Sequence, residues 1–242
     1  MKKRTMEILK MSRCADIGDA LDSLGLQDRY EMSENMRPLI PLMRFCGIAR
    51  TIELTKTDEK LPAMDYDTFE RLQYAPKDQG GYMYLTNLDK PELKFPELNA
   101  GDVLVVKADG NMPGICGSAN TYDWYLEGVV GFVLDGAARD TEECILQELP
   151  IFSTSISYKH CQGRNQINSV DEPIVCAGAL VRPGDIIIAD NDGVIVVPQE
   201  IADEVALRAY KIQQIDRVDR RRYYEKQGRE FDETVELLPD ID

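Results

Sequence analysis

The chain contains one histidine and one tryptophan in 242 residues. Its six cysteines, at positions 14, 46, 116, 144, 161 and 176, include no Cys-x-x-Cys pair. A zinc cluster needs closely spaced Cys and His ligands, so that class of site is excluded. In a chain this long, dispersed cysteines read as free thiols of a reducing compartment, and a cytoplasmic location is expected. No apolar run approaches about 18 residues, so no membrane partner is expected. The opening MKKRTMEILKMSR carries bases but too short an apolar run for a signal peptide. Bases are in deficit, 28 against 43 acids, for a net charge of −15. Nucleic acid needs a basic face and is therefore not an expected partner. The one dense basic run, 217–222, is interrupted by acids and reads as a solvated helix face. A small anionic substrate stays open, because a site can be positive on a negative protein.

What is present is an ordinary globular composition, long enough to bury a real core. Three regions are expected: a helical extension over 1–45, a core over 46–200, and a C-terminal helix with an acidic tail over 201–242. Apolar residues at helical intervals from Ser12 to Leu21, with Ser12 or Asp16 as cap and Gly25 as stop, predict a helix. Phe45 to Leu54 predicts a strand. Helical pieces are expected at 66–72 and 80–88. Gly101-Asp102 before Val103-Leu104-Val105-Val106 reads as a turn feeding a buried strand that ends at Asp109-Gly110. Arg182-Pro183-Gly184-Asp185, Ile186-Ile187-Ile188 and Asp190-Asn191-Asp192-Gly193 repeat the pattern. Such repetition is turn chemistry rather than a duplicated site. Further strands are expected at 150–153, 173–176 and 194–197, helices at 119–127 and 141–147, and a long helix from about 198 to 227. Alternating elements in the middle and clustered strands later predict a layered α/β domain with mixed sheets.

The segment GVVGFVLDGAARD, 128–140, carries the chemistry. Its apolar run predicts a buried strand from Val129 to Leu134, ended by an Asp135-Gly136 turn. Arg139-Asp140 follows. The carboxylate can hold a hard cation and the guanidinium can fork onto a substrate carboxylate. The bland alternative is that Asp140 caps the next helix. One helix upstream, the glycine-rich loop 109–121 ends a strand and opens a helix. Gly117, Ser118, Ala119 and Asn120 there can seat a carboxylate on unpaired backbone N–H groups, or Ser118 or Asn120 can simply cap the helix. His160, in a polar loop, has acid–base chemistry available but reads as an exposed histidine. Tyr122, Trp124 and Tyr125 read as core or interface aromatics. Lys107 has nothing beside it in sequence to depress its pKa for imine chemistry.

Together these segments resemble the RraA-like family, which includes class II 4-hydroxy-4-methyl-2-oxoglutarate aldolases. The resemblance spans about Ala15 to Ala209. It rests on Ala15-Asp16-Ile17-Gly18-Asp19-Ala20-Leu21, Gly47-Ile48-Ala49-Arg50-Thr51, Gly101 to Val106, Gly131 to Asp140, and the Arg182-Pro183-Gly184-Asp185 and Asp190 to Val194 motifs. It implies a swivelling three-layer β/β/α domain, assembled as a homotrimer or homohexamer with sites at subunit interfaces. It implies a divalent-metal-dependent lyase that cleaves a small 2-oxo acid and releases pyruvate. Asp140 would bind Mg²⁺ or Mn²⁺ and Arg139 the substrate. The family's upstream acid falls on Ser118, a departure that leaves the proton-handling group open. Asp123, or an acid from a neighbouring subunit's C-terminal helix, is a candidate to replace it. Two alternatives follow: a regulatory protein of the ribonuclease-inhibitor type, or a metal-dependent enzyme with another reaction on a sugar-derived acid.

Overall fold

The computed structural model describes residues 3–58, 63–74, 96–108, 113–161 and 163–240. The chain opens with helices α1 (Lys3–Met11) and α2 (Cys14–Asp22), a short strand β1 (Arg37–Pro38), the long strand β2 (Phe45–Lys56) and helix α3 (Tyr66–Tyr74). Next come β3 (Asp102–Ala108), β4 (Gly114–Cys116), α4 (Ser118–Leu126), β5 (Gly131–Ala138), α5 (Thr141–Leu146) and β6 (Ile151–Ile156). Then follow β7 (Asn165–Val170), β8 (Ile174–Cys176), β9 (Ala179–Val181), β10 (Ile186–Asp190), β11 (Gly193–Val197), one 3-10 turn and α6 (Ala202–Gln227). The helical stretch expected at 80–88 lies outside the described residues.

Strands β2, β3, β5 and β6 run parallel, in the sheet order β1-β6-β5-β3-β2-β10-β11. Parallel neighbours need crossovers, and α4 and α5 supply two of them. Segment 30–38 all but closes the sheet. Met32 N–H donates to Val194 O at 3.0 Å and Val196 N–H to Tyr30 O at 2.9 Å, after which β1 pairs with β6. The β8–β9 hairpin is separate from this sheet.

The unbroken apolar run 103–106 follows from burial on both faces of a parallel sheet. Val103 and Val105 point to a core shared with Val133, Phe152, Val196 and the β8–β9 hairpin. Leu104 and Val106 point the other way, to a core with Phe132, Leu134, Trp124 and Cys144 under α4 and α5. A third core joins Ile186, Ile188 and Ile195 to Ile17 and Leu21 of α2 and Val205 and Ala209 of α6. The N-terminal helices and the C-terminal helix thus close over the same strands.

Two expectations change. Asp135-Gly136 is not a turn: β5 runs through it to Ala138. The reason is that hydrogen-bonding partners continue on both sides. Ala137 and Ala138 pair with Ser155 and Ile156 of β6, and β4 takes over beside them where β3 ends. The basic run 217–222 is more than a solvated face. Arg217 donates to Glu233 O at 3.0 Å, Arg220 to Thr234 O at 2.8 Å, and Arg221 lies over the Phe231 ring, so the run pins the acidic tail along α6.

Candidate active site

Carrying β5 to Ala138 places Arg139 and Asp140 at the carboxyl end of the parallel strands, where crevices of α/β sheets bind ligands. Asp140 has left-handed backbone angles, φ 52 and ψ 44. A non-glycine residue held there is strained by about 1 kcal/mol or more. It occupies the N-cap position of α5, yet its side chain makes no capping hydrogen bond. The bland expectation of a helix cap therefore fails. The carboxylate turns instead to Arg139, whose Nε lies 3.0 Å from Asp140 Oδ1, with the two side chains 31% and 35% exposed.

Two glycines of the preceding loop make room for this pair. A Cβ at Gly117 would fall on Asp140 Oδ2, so the carboxylate rests against the backbone at the start of α4. A Cβ at Gly114 would fall on Arg139 Cβ and come within 2.9 Å of Ser157 O. Arg139 N–H donates to Cys116 O at 3.0 Å, fixing β4 to the end of β5. The structure thus brings Gly117, just before α4, against Asp140. Gly117 and Asn120 do another task than the one expected, because the Gly117 N–H is paired within the loop and is not open to a ligand carboxylate. Asn120 Oδ1 accepts from Gly117 N–H at 3.1 Å and from Thr121 N–H at 3.0 Å, so the amide oxygen holds the loop and caps α4. Residues 109–112 of the loop lie outside the described residues. Asp123 is exposed, more than a turn along α4 from Ser118.

His160 differs from the exposed loop residue expected from its polar surroundings in sequence. It is half-buried instead, in β-bridge register with Gly114. Burial, and next the positive charges of Arg139 and Arg164, hold its imidazole down at about 4, with Asp140 opposing. The only sequence signal was its separation of 20 residues from Asp140 across one strand, which is too weak to find it. Lys107 pairs with Glu53 at 2.6 Å, so it is an ion-pair lysine. All six cysteines are free and buried. Burial pushes the Cys116 and Cys176 thiols up, which removes them as nucleophiles at neutral pH.

Among the described residues, no group of three or more His, Cys, Asp and Glu is placed to hold a metal ion. Among those residues there is therefore no closed, all-protein metal site. A hard cation that keeps several waters needs only one or two carboxylates plus the substrate, and Asp140 fits that description. Its oxygen donor suits Mg²⁺ or Mn²⁺ rather than a softer metal.

A family model described as RraA-like, Aldolase/RraA, matches residues 14–196. The chain belongs to the RraA-like family. Its fold is that of solved RraA-like relatives. A crystal structure of an uncharacterized protein from Pseudomonas syringae pv. tomato superposes with a TM-score of 0.70 at 25% identity, covering 95% of this chain and 96% of that one. Streptomyces coelicolor RraAS2, described as an unusual member of the RNase ES inhibitor RraA protein family, gives 0.70 at 25% identity over 91% and 97%. A 4-hydroxy-4-methyl-2-oxoglutarate aldolase of Thermus thermophilus is 33% identical over 106 residues, 43% of this chain and 63% of that protein. Protein DlpA of Legionella pneumophila is 28% identical over 201 residues, 82% of this chain and 28% of that protein. This RraA-like chain spans less than two thirds of the length of these two curated relatives. No helix among its described residues is long and apolar enough to cross a membrane.

Proposed function

We propose that this RraA-like protein is a divalent-metal-dependent carbon–carbon lyase that cleaves a small 2-oxo acid and releases pyruvate. The observation that carries the reading is Asp140: a strained residue at a strand end, its carboxylate left uncapping, partly exposed, and seated on a glycine beside an arginine. Asp28, Leu42, Glu148, Asp171 and Ala177 share the positive φ, so the strain supports the reading only together with the strand-end position and the glycine seat. The guanidinium of Arg139 forks onto the substrate carboxylate and fixes its orientation. Asp140, with water, would hold Mg²⁺ or Mn²⁺ against the substrate. When bound, the cation supplies Lewis-acid polarisation of the 2-oxo group. Arg139 then stands beside the charge that develops on the 2-oxo oxygen as the carbon–carbon bond breaks. The first backbone N–H groups of α4, at Ser118 and Ala119, add to the positive potential on that side. Ser118 cannot take the proton-handling part of an acid, so that part belongs to another group. The family resemblance implies assembly as a homotrimer or homohexamer, and the exposed side chains Leu146, Ile156 and Tyr158 are ones that such an interface would cover.

The test is pyruvate release from oxaloacetate and from 4-hydroxy-4-methyl-2-oxoglutarate. Turnover should require added Mg²⁺ or Mn²⁺ and vanish in EDTA. Turnover that survives exhaustive chelation sinks the reading. A second reading, a regulator that binds an RNA-degrading endonuclease, draws support from the likeness to RraAS2. Capture of a purified ribonuclease of that class by the chain, together with absence of turnover on every oxo acid tried, would favour it.

A further inference from the structure

The seat of Asp140 is itself held by one side chain. Gly117 is the N-cap of α4 and has no side chain with which to cap it, so the reciprocal bonding of a helix start is only half built. The half that exists comes from Asn120, in the third position of the helix, whose Oδ1 accepts from Gly117 N–H at 3.1 Å. At the other edge of the same peptide unit, Cys116 O accepts from Arg139 N–H at 3.0 Å. The Cys116–Gly117 peptide is therefore tied through its oxygen to the strand end that carries Asp140, and through its nitrogen to Asn120. A peptide unit is planar, so two bonds at opposite edges fix its orientation. That plane decides where the Gly117 Cα stands. Asp140 Oδ2 rests against this carbon, with no room for a Cβ between them.

The residue type matters as well as the bond. Helices α2, α3, α5 and α6 each carry an acid in the first turn, and α4 carries none. An acid is the electrostatically favoured residue there, so the neutral amide leaves the positive end of α4 uncompensated on its own helix. The carboxylate seated at that end is Asp140. We propose that Asn120 is a positioning residue: by fixing the Cys116–Gly117 peptide with a neutral oxygen, it sets the Asp140 carboxylate for the cation without placing a second negative charge beside the anionic substrate. The inference rests on the lyase reading above and adds to it a residue that acts through Asp140 rather than on the substrate.

The experiment is titration of the full chain with Mn²⁺ in the presence of pyruvate, read by the electron paramagnetic resonance signal of the free ion, beside the melting temperature and the KM for oxaloacetate. Asn120→Ala should weaken Mn²⁺ binding by about tenfold or more, the scale on which groups behind a metal ligand act. Asn120→Asp keeps the accepting oxygen, so it should restore the wild-type Mn²⁺ affinity, while its added charge raises the KM for oxaloacetate severalfold. A merely structural cap would lower the melting temperature of the alanine variant and leave its Mn²⁺ affinity and KM alone, and that result overturns the proposal. So does an aspartate variant that binds Mn²⁺ as weakly as the alanine one. If the alanine variant does not fold, the aspartate variant decides: wild-type Mn²⁺ affinity with a raised KM supports the proposal, and an unchanged KM overturns it. A wild type that binds no Mn²⁺ sinks the lyase reading and this inference with it, whereas a wild type that binds Mn²⁺ beside an indifferent alanine variant sinks the inference alone.

Discussion

Two aspartates end buried strands in this molecule, and their surroundings are opposite. Asp190 closes β10, and both of its oxygens serve the backbone. Oδ2 accepts from Cys14 N–H at 2.8 Å, at the start of α2, and Oδ1 accepts from Asp192 N–H at 3.0 Å in the β10–β11 turn. Asp140 closes the β5 segment, caps nothing, sits in the left-handed region and faces Arg139. The same contrast holds for the two Gly-Asp turns. Asp102 accepts from Asn99 N–H and Asp185 from Arg182 N–H, each at 2.8 Å. A carboxylate engaged by backbone N–H groups is part of the scaffold. A carboxylate that the backbone strains to present, and then leaves to a neighbouring arginine, has lone pairs to offer a cation.

The sharpest way to break this comparison is to delete each acid. Asp140→Ala should lower metal-dependent turnover by at least about a hundredfold, the scale of losing one preorganised electrostatic group. Asp140→Gly should be as inactive but raise the unfolding free energy by about 1 kcal/mol, because glycine accepts the left-handed angles without strain. A destabilised glycine variant, by urea titration, would remove the strain argument.

The next effect belongs to the glycine seat. Gly117→Ala should cut turnover about tenfold by displacing the Asp140 carboxylate, while the melting temperature stays near wild type, since only the end of a flexible side chain must move. Gly114→Ala should behave differently. Its new methyl meets Arg139 Cβ and the backbone oxygen of Ser157, so it should cost about 1–3 kcal/mol of stability as well as activity. If both variants lose stability alike, the pocket is tighter at Gly117 than the comparison requires.

Asp190→Ala should then cost only about 1 kcal/mol, the value of a helix N-terminal hydrogen bond, and leave turnover unchanged. Lost turnover there would blur the division between scaffold and site.

The effect that is smallest at neutral pH, and grows only on acidification, belongs to His160. His160 is held at about 4 when folded, against about 6.5 in an unfolded chain. As pH falls through that window the unfolded chain takes the proton first, so stability drops with it, and it is fully present above about 6.5. The lone histidine resonance should titrate near 4 by NMR, and His160→Gln should flatten the dependence of the urea midpoint between pH 6.5 and 4. An unshifted titration would mean that the imidazole is neither buried nor in the field of Arg139.

Much of this was readable in the sequence. The apolar run 103–106, the Ile186 and Val194 strands, the helix opening after Gly117 and the long final helix all carry strong local patterns, and the structure has each of them. The pairing of Gly117 with Asp140 was legible too, because one helix between two parallel strands returns the chain to the same sheet end. Strands β7 and β9 went unread. Asn165-Gln166-Ile167-Asn168-Ser169-Val170 is polar, and only pairing along β2 makes it a strand. Asp135-Gly136 read as a turn because a dipeptide carries no record of the two strands that flank it. His160 was passed over for the same reason. Its burial and its charged neighbours come from β4 and β5 and from Arg164, so nothing in residues 158–161 announces them.

The sequence by itself determined the strands and helices with strong periodicity, the acidic total, the lack of a zinc-type ligand set, and the candidacy of Arg139 and Asp140. Those follow from side-chain pattern and composition, which act over a few residues. Only the tertiary structure decided that Asp140 is strained and uncapping, that Gly114 and Gly117 are seats for other side chains, and that His160 stands beside Arg139. Such facts depend on which backbones approach within a van der Waals radius, and that is fixed by the packing of strands distant in sequence.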